Sequence, residues 1–171
     1  LNAIAGIANA YADSVAMIVI APGPSTGSDG ALCGAMHEVK NQFGALEQVI
    51  DITYRCTPDQ DPAEVVLAAV SAATAGRPQP AYVEIPLDVM ASYWPATPAN
   101  LAGASVPTPA EWLSEEGTKL AIDCATELLG GVRRPVLVVG GGSRRAAVDV
   151  TALAERLGAP VLATFRGKGV V

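Results

Sequence analysis

Histidine occurs once in this sequence, at His37, and cysteine three times, at Cys33, Cys56 and Cys124, with no Cys-x-x-Cys spacing. An odd number of scattered thiols excludes a disulfide framework and a clustered zinc site, and the expectation is reduced cysteines in a cytoplasmic protein. No apolar run nears the roughly 18 residues that a membrane span needs; Val15 to Ile20 has only the length of a strand. The first residues, from Leu1, carry neither a basic n-region nor a small-residue cleavage site, so no signal peptide is expected. Aromatic side chains make up 5% and charged ones 16%, against 50% hydrophobic residues, which excludes a disordered or fibrous chain. What remains is a globular α/β reading with enough apolar mass in 171 residues for one core or two small ones.

The net charge of -6 is unevenly spread. Residues 1–100 hold ten acids and three bases, and residues 101–171 hold seven acids and eight bases. Arg133, Arg134, Arg144, Arg145 and Arg166 lie near one glycine run, with Lys168 just after. Local positive charge in an acidic protein points to a small anionic ligand, since nucleic acid asks for a basic face on the whole domain. Solvated helix ends are the alternative.

The stretch from Gly76 to Val89 organises the first half. Gly76 can take the left-handed conformation that stops a helix, Pro78 and Pro80 forbid its resumption, and Ala81 to Ile85 then reads as a strand closed by Pro86. Before it, Leu1 to Tyr11 has helical spacing, Val15 to Ile20 reads as a strand buried on both faces, and Pro22 to Gly30 as a loop. Ala31 to Leu46 is expected to be partly helical and Val49 to Thr53 a strand. Asp61-Pro62-Ala63-Glu64 is a helix start, with an aspartate N-cap, proline in the first turn and an acid at the third position, and that helix should run to Ala75. Strand, helix, strand then implies a parallel sheet.

Residues 91–108, with Pro95, Pro98 and Pro107 and the large anchors Tyr93 and Trp94, read as an interdomain linker. Thr108-Pro109-Ala110-Glu111 repeats the capping device and opens a helix ended by Gly130-Gly131. Val136 to Val139, Arg144 to Leu157 and Val161 to Ala163 read as strand, helix and strand of a second α/β unit, so the whole is two incomplete parallel-sheet units, three-layered and flavodoxin- or Rossmann-like.

Three motifs bear on chemistry. Val139-Gly140-Gly141-Gly142-Ser143-Arg144 is a strand, glycine turn and helix start, where free amides and the positive helix end favour a phosphate or other anion. It fails the dinucleotide fingerprint, because Arg145 stands where a third glycine belongs and no acid follows Glu155 to hold a ribose; a plain turn is the other reading. Gly23-Pro24-Ser25-Thr26-Gly27 matches Gly-x-Ser-x-Gly after a strand, but the helix start that should follow is weak, and His37 leaves room only for Asp29 as the acid, so a flexible loop is the expectation. His37-Glu38 is an imidazole beside a carboxylate, followed by Asn41 and Gln42, and stands against the plainer reading of polar residues on a surface.

Four segments carry a resemblance to a known family: Asn2 to Ser14, Gly30 to Glu38, Gly76-Arg-Pro-Gln-Pro to Val89, and Arg134-Pro-Val-Leu-Val-Val-Gly-Gly-Gly142 to Gly169. In order and spacing they resemble the acetolactate synthase-like enzymes, thiamine diphosphate-dependent 2-oxo acid decarboxylases and carboligases. The resemblance implies that residues 1–90 are the later part of a pyrimidine-binding domain, 91–108 a linker, and 109–171 the opening of a central domain. In that family a glutamate and the cofactor's own ring generate a carbanion that attacks a 2-oxo acid, and the cofactor then acts as electron sink. By this likeness the glutamate lies upstream of Leu1 and the segment for Mg2+ and diphosphate downstream of Val171, so these residues alone should be inactive.

The same resemblance implies that Asn2 lies near thiamine diphosphate, that His37 and Glu38 border the substrate pocket, and that Arg77 with Gly140, Gly141 and Gly142 touches FAD or another adenine nucleotide in members that bind one. A neutral imidazole at position 37, where the family usually has glutamine, would favour simple decarboxylation or an unusual acceptor over acetolactate formation. Ala16 in place of an expected proline and the unusual Pro22 to Gly27 loop are departures. The implied partners are a 2-oxo acid and further copies, as a homodimer or homotetramer of the full-length enzyme, with neither nucleic acid nor membrane. The rival of another class is a non-catalytic adenine-nucleotide-binding domain of an oxidoreductase.

Overall fold

In the computed structural model, which describes residues 2–28, 30–94 and 115–171, the strand that follows Gly76 runs through the centre of a sheet. This strand, β3 (Pro80–Pro86), is buried at all of its positions and pairs in parallel with β1 (Met17–Gly23) on one side and β2 (Ile52–Arg55) on the other. The two-residue period of a strand divides its side chains between two faces. Ala81, Val83 and Ile85 pack with Val65, Ala69 and Ala73 of α3 (Pro62–Thr74) and Val89 of α4 (Leu87–Ala91). Tyr82 packs on the other face with Ile7 of α1 (Ile4–Ala12), Leu46 of α2 (Gln42–Glu47) and Ile50. Helices thus cover both faces, and alanines on α3 let it lie close to the sheet.

The local signals act as expected around α3. The Asp61 carboxylate accepts from Ala63 N at 2.9 Å, Pro62 opens the helix, and Gly76 turns left-handed with φ 64° just after its end. The first half differs from expectation in three places. Among the described residues strand β1 is an edge, with Ile20 54% exposed, because the order β1-β3-β2 puts the third strand in the middle. Helix forms only over Gln42–Glu47, where Asn41 accepts from Gly44 N at 2.8 Å as N-cap; the segment before it turns through left-handed Gly30, Leu32, Gly34 and His37. Strand β2 starts at Ile52 because Val49 and Ile50 still donate to Leu46 O at 2.9 and 3.1 Å, closing the helical turn.

The described chain divides into two compact units, Leu1–Trp112 and Leu113–Val171. The expected cap at Thr108 to Glu111 and most of the expected linker lie outside the described residues. Of the two anchors, Trp94 donates from Nε1 to Val89 O at 3.1 Å and packs on the α3 core, whereas Tyr93 is exposed.

The second unit has α5 (Glu115–Gly130), β4 (Leu137–Val139), a 3-10 helix (Gly141–Ala146), α6 (Ala147–Leu157), β5 (Val161–Ala163) and a short 3-10 turn (Phe165–Gly167). Strands β4 and β5 pair in parallel, Leu137 opposite Val161. The expected helix from Arg144 is therefore two pieces, a tight 3-10 segment followed by α6. At its end Gly158 has φ 59° and Ala159 N reaches back to Ala154 O at 2.9 Å, the capping geometry that glycine permits.

Candidate functional site

Parallel sheets bind ligands outside the carboxyl ends of their strands. At that end of the first sheet the register sets Ala21 of β1 and Arg55 of β2 on either side of Glu84. Glu84 has no exposed surface, and a charge taken wholly out of water needs partners. It has them on every side. Arg55 donates from Nε and Nη2 to Oε1 at 2.8 and 2.6 Å, Tyr82 donates its hydroxyl to Oε2 at 2.8 Å, and Gln42 Nε2 reaches Oε2 at 3.2 Å. Gln42 also donates to Tyr82 Oη at 2.9 Å and to the carbonyl of Pro22 at 3.0 Å. The guanidinium of Arg55 lies over the Phe43 ring, 5.1 Å from its centroid. Burial, and then the hydrogen bond to Glu84, hold the Tyr82 hydroxyl's pKa far above its ordinary value.

Gly23 completes the cluster. A methyl group there would lie 2.6 Å from Glu84 Cγ and 2.7 Å from its Cδ, so only glycine lets β1 pass the carboxylate. Gly23 and Gln42 figure in the sequence only at the margins of the Gly23–Gly27 and His37-Glu38 motifs, and Arg55, Tyr82 and Glu84 in no candidate site. The available signal was a lone acid in a strand otherwise expected to be buried, two positions from a tyrosine and so on the same face.

The connection from β1 to α2, residues 24–41, carries the sequence candidates His37 and Glu38. Glu38 turns back on its own loop: its carboxylate accepts from Cys33 N at 2.8 Å, Gly34 N at 2.6 Å and Ala35 N at 3.1 Å. His37 beside it is exposed and held at φ 61°, a conformation that costs a residue with a side chain about 1–2 kcal/mol. Earlier in the connection Thr26 N donates to Asp88 Oδ1 at 2.9 Å, which keeps the Asp88 carboxyl below its usual range. Ser25 lies in a turn, its carbonyl accepting from Ser28 N at 2.9 Å. Among the described residues no helix begins between Gly23 and Gln42, so the strand-turn-helix context of a nucleophile elbow is absent there.

The remaining candidates lie elsewhere. Asn2 is exposed in the turn before α1. Arg77 sits at the amino end of the sheet, where its Nε donates to Ser14 Oγ at 2.7 Å and its Nη2 to Tyr11 O at 2.9 Å, with the guanidinium 5.6 Å from the Tyr11 ring centroid. It clasps the carboxyl end of α1, where carbonyls lack partners and a cation is favoured. Gly140, Gly141 and Gly142 belong to the second unit. Gly140 caps the 3-10 helix, its carbonyl accepting from Ser143 N at 3.1 Å, and a methyl on Gly141 would come within 3.2 Å of Arg166 Cβ. Arg144 Nε donates to Arg166 O at 3.1 Å, which gathers two of the late bases beside the glycine turn. Among the described residues no group of three or more His, Cys, Asp or Glu could hold a metal ion, and no helix is long and apolar enough to cross a membrane.

Comparison with known proteins gives these observations a context. The family described as thiamine pyrophosphate enzyme, central domain, matches residues 122–171. A probable 2-ketoarginine decarboxylase of Pseudomonas aeruginosa is 34% identical over 99% of this chain, and an acetolactate synthase large subunit of Parasynechococcus marenigrum is 32% identical over 98% of it. The chain spans 29% and 27% of the length of those two relatives. Among solved structures, the thiamine diphosphate-dependent 4-hydroxybenzoylformate decarboxylase of Rhodococcus jostii RHA1 is similar with a TM-score of 0.75 at 25% identity, covering 95% of this chain and 30% of that one. With its parallel α/β sheets and this likeness along almost its whole length, the chain is similar to a part of thiamine diphosphate-dependent decarboxylases and acetolactate synthases, and residues 122–171 match the central domain of such enzymes.

Proposed function

We propose that this sequence is part of a thiamine diphosphate-dependent enzyme that decarboxylates a 2-oxo acid, with residues 1–90 in its pyrimidine-binding domain, 91–108 a linker and 109–171 in its central domain. The observation that carries the reading is the 34% identity that runs through 99% of the chain, across both units, to a probable decarboxylase. Simple decarboxylation is preferred to carboligation because His37, an imidazole able to hydrogen-bond a carboxylate or pass a proton, is presented exposed on a strained turn of the β1–α2 connection.

The residues in hand do not make a cofactor site by themselves. Three backbone amides converge on the Glu38 carboxylate, Arg77 is engaged with α1, and the described residues offer no metal cluster. In this reading thiamine diphosphate and Mg2+ are held mainly by polypeptide outside this sequence. Asn2 and the His37-Glu38 turn stand at the edge of that site. The turn at Gly140 to Gly142, with Arg144 and Arg166 beside it, is the proposed contact for the diphosphate of FAD or another adenine nucleotide, and Arg77 is a further proposed contact on the family likeness. The full-length enzyme is proposed to be cytoplasmic and a homodimer or homotetramer.

The test is to titrate the full-length protein with thiamine diphosphate and Mg2+ and follow carbon dioxide release from pyruvate and from bulkier 2-oxo acids. Turnover that does not depend on thiamine diphosphate sinks the reading. Product analysis separates aldehyde release from carboligation, and His37→Gln should change the rate or the substrate preference. Nucleotide affinity unaltered by Gly141→Val and by Arg77→Ala returns both to purely structural roles.

A further inference from the structure

Four elements meet at one buried carboxylate. Glu84 on β3 receives Arg55 from β2 and Gln42 from α2, and Gly23 of β1 passes against its side chain. Gln42 in turn holds the carbonyl of Pro22, so the end of β1 and the first turn of α2 are tied to each other through the same cluster. Those two points are the ends of the connection that carries His37 and Glu38. Between them its middle, Ala31 to Glu38, is exposed, and the Glu38 carboxylate holds it by accepting from the amides of Cys33, Gly34 and Ala35. A loop of this kind is placed by where its ends are fixed.

Glu84 fits this task better than an apolar residue would. A leucine or valine at position 84 would fill the space but could hold neither the guanidinium nor the amide in a fixed direction. The carboxylate offers acceptor positions in its plane, which orient Arg55 and Gln42 at once. Tyr82, on the same strand face, shares Oε2 with Gln42, donating at 2.8 Å, while Arg55 takes Oε1.

We propose that Glu84 is a positioning residue that sets the path of the β1–α2 connection and, through it, the substrate preference of the site that His37 and Glu38 border. The second half rests on the reading of this chain as part of a 2-oxo acid decarboxylase; the first half does not.

The experiment compares Glu84→Gln and Gln42→Ala with the parent in the full-length protein. Hydrogen exchange is followed over residues 24–41 and over β3, and steady-state kinetics are measured with a small and a bulky 2-oxo acid. Exchange over 24–41 should quicken by about tenfold while β3 keeps its protection, because the connection opens locally without the core. The ratio of kcat/KM between the two acids should move by about tenfold, mainly through KM, as loose placement weakens discrimination. Gln42→Ala removes no charge, so it decides the matter if Glu84→Gln fails to fold. Unchanged exchange over 24–41, or a rise shared equally by β3, reduces Glu84 to an ion pair of the core and overturns the proposal. Faster exchange with an unmoved substrate ratio overturns its second half. Absence of thiamine diphosphate-dependent turnover overturns the functional reading and with it that second half, while the exchange result still decides the first.

Discussion

Arg55 delivers two nitrogens, Nε and Nη2, to a single oxygen of Glu84, and the two side chains are unequally buried: 31% of Arg55 is exposed and none of Glu84. Such a pair costs more to break than it adds in stability, because removing the cation strands a charge out of water.

Arg55→Met should therefore lower the unfolding free energy by about 3 kcal/mol, the low end of the range for a broken buried pair, since water reaches the guanidinium side. Adding Glu84→Met to it should restore at least half of that loss. Urea unfolding of the single and double variants measures both; a double variant weaker than Arg55→Met would contradict the account.

Tyr82 gives a pH dependence of definite sign. Its folded pKa lies above the ordinary value of 10.0 through burial and the hydrogen bond to Glu84, so the native state keeps a proton that the unfolded chain has released. The stability this contributes is complete below pH 10 and falls as the pH rises beyond it. Tyr82→Phe should abolish that part of the alkaline loss. At neutral pH it should cost about 1–2 kcal/mol, because Oε2 keeps only Gln42. Stability measured at pH 8 and at pH 10.5 in both proteins is the check.

Gly23→Ala places a methyl group against the Glu84 side chain, within 2.7 Å of Oε1, at a point where both residues are buried. Overpacking of this kind costs about 1–3 kcal/mol. Gly27→Ala is the comparison: nothing lies within 4 Å of the new methyl, and only the strain of φ 79° acts, about 1–2 kcal/mol. The two differ in kind. Pairing each with Glu84→Ala should relieve the first and leave the second as it is, as thermal unfolding would record.

Asp88 is depressed in pKa by the backbone hydrogen bond from Thr26. A depressed carboxyl contributes its hold above the unfolded value, near 3.8, and loses it as the pH falls through the folded one. The Thr26 amide should be protected at neutral pH, lose protection in acid, and be unprotected throughout in Asp88→Ala. Amide exchange resolved at that residue reads this directly, and protection that persists in Asp88→Ala would mean that another group holds the loop.

Much of this architecture is written locally. Asp61 with Pro62 opens a helix and Gly76 ends a turn for reasons contained in a few neighbouring residues, and the structure follows them. The edge position of β1 is not local, since Val15 to Ile20 has the composition of a covered strand and only the pairing with β3 settles which strand is central. The Glu84 cluster is legible in part. Its place beside Tyr82 follows from the period of a strand, but Arg55 and Gln42 come from distant points in the chain and are joined only by tertiary folding. Glu38 is an instructive middle case: an acid beside a histidine invites a chemical reading, yet its oxygens point to the amides of Cys33, Gly34 and Ala35 a few residues earlier.

The pairing of β1 with β3 also bears on synthesis. Met17 meets Pro80, so the first strand leaves the ribosome about 60 residues ahead of its partner, a delay of roughly 3 to 12 s at ordinary elongation rates. Throughout that interval an apolar ribbon has no neighbour, and the nascent polypeptide has reason to engage a chaperone before its sheet can close.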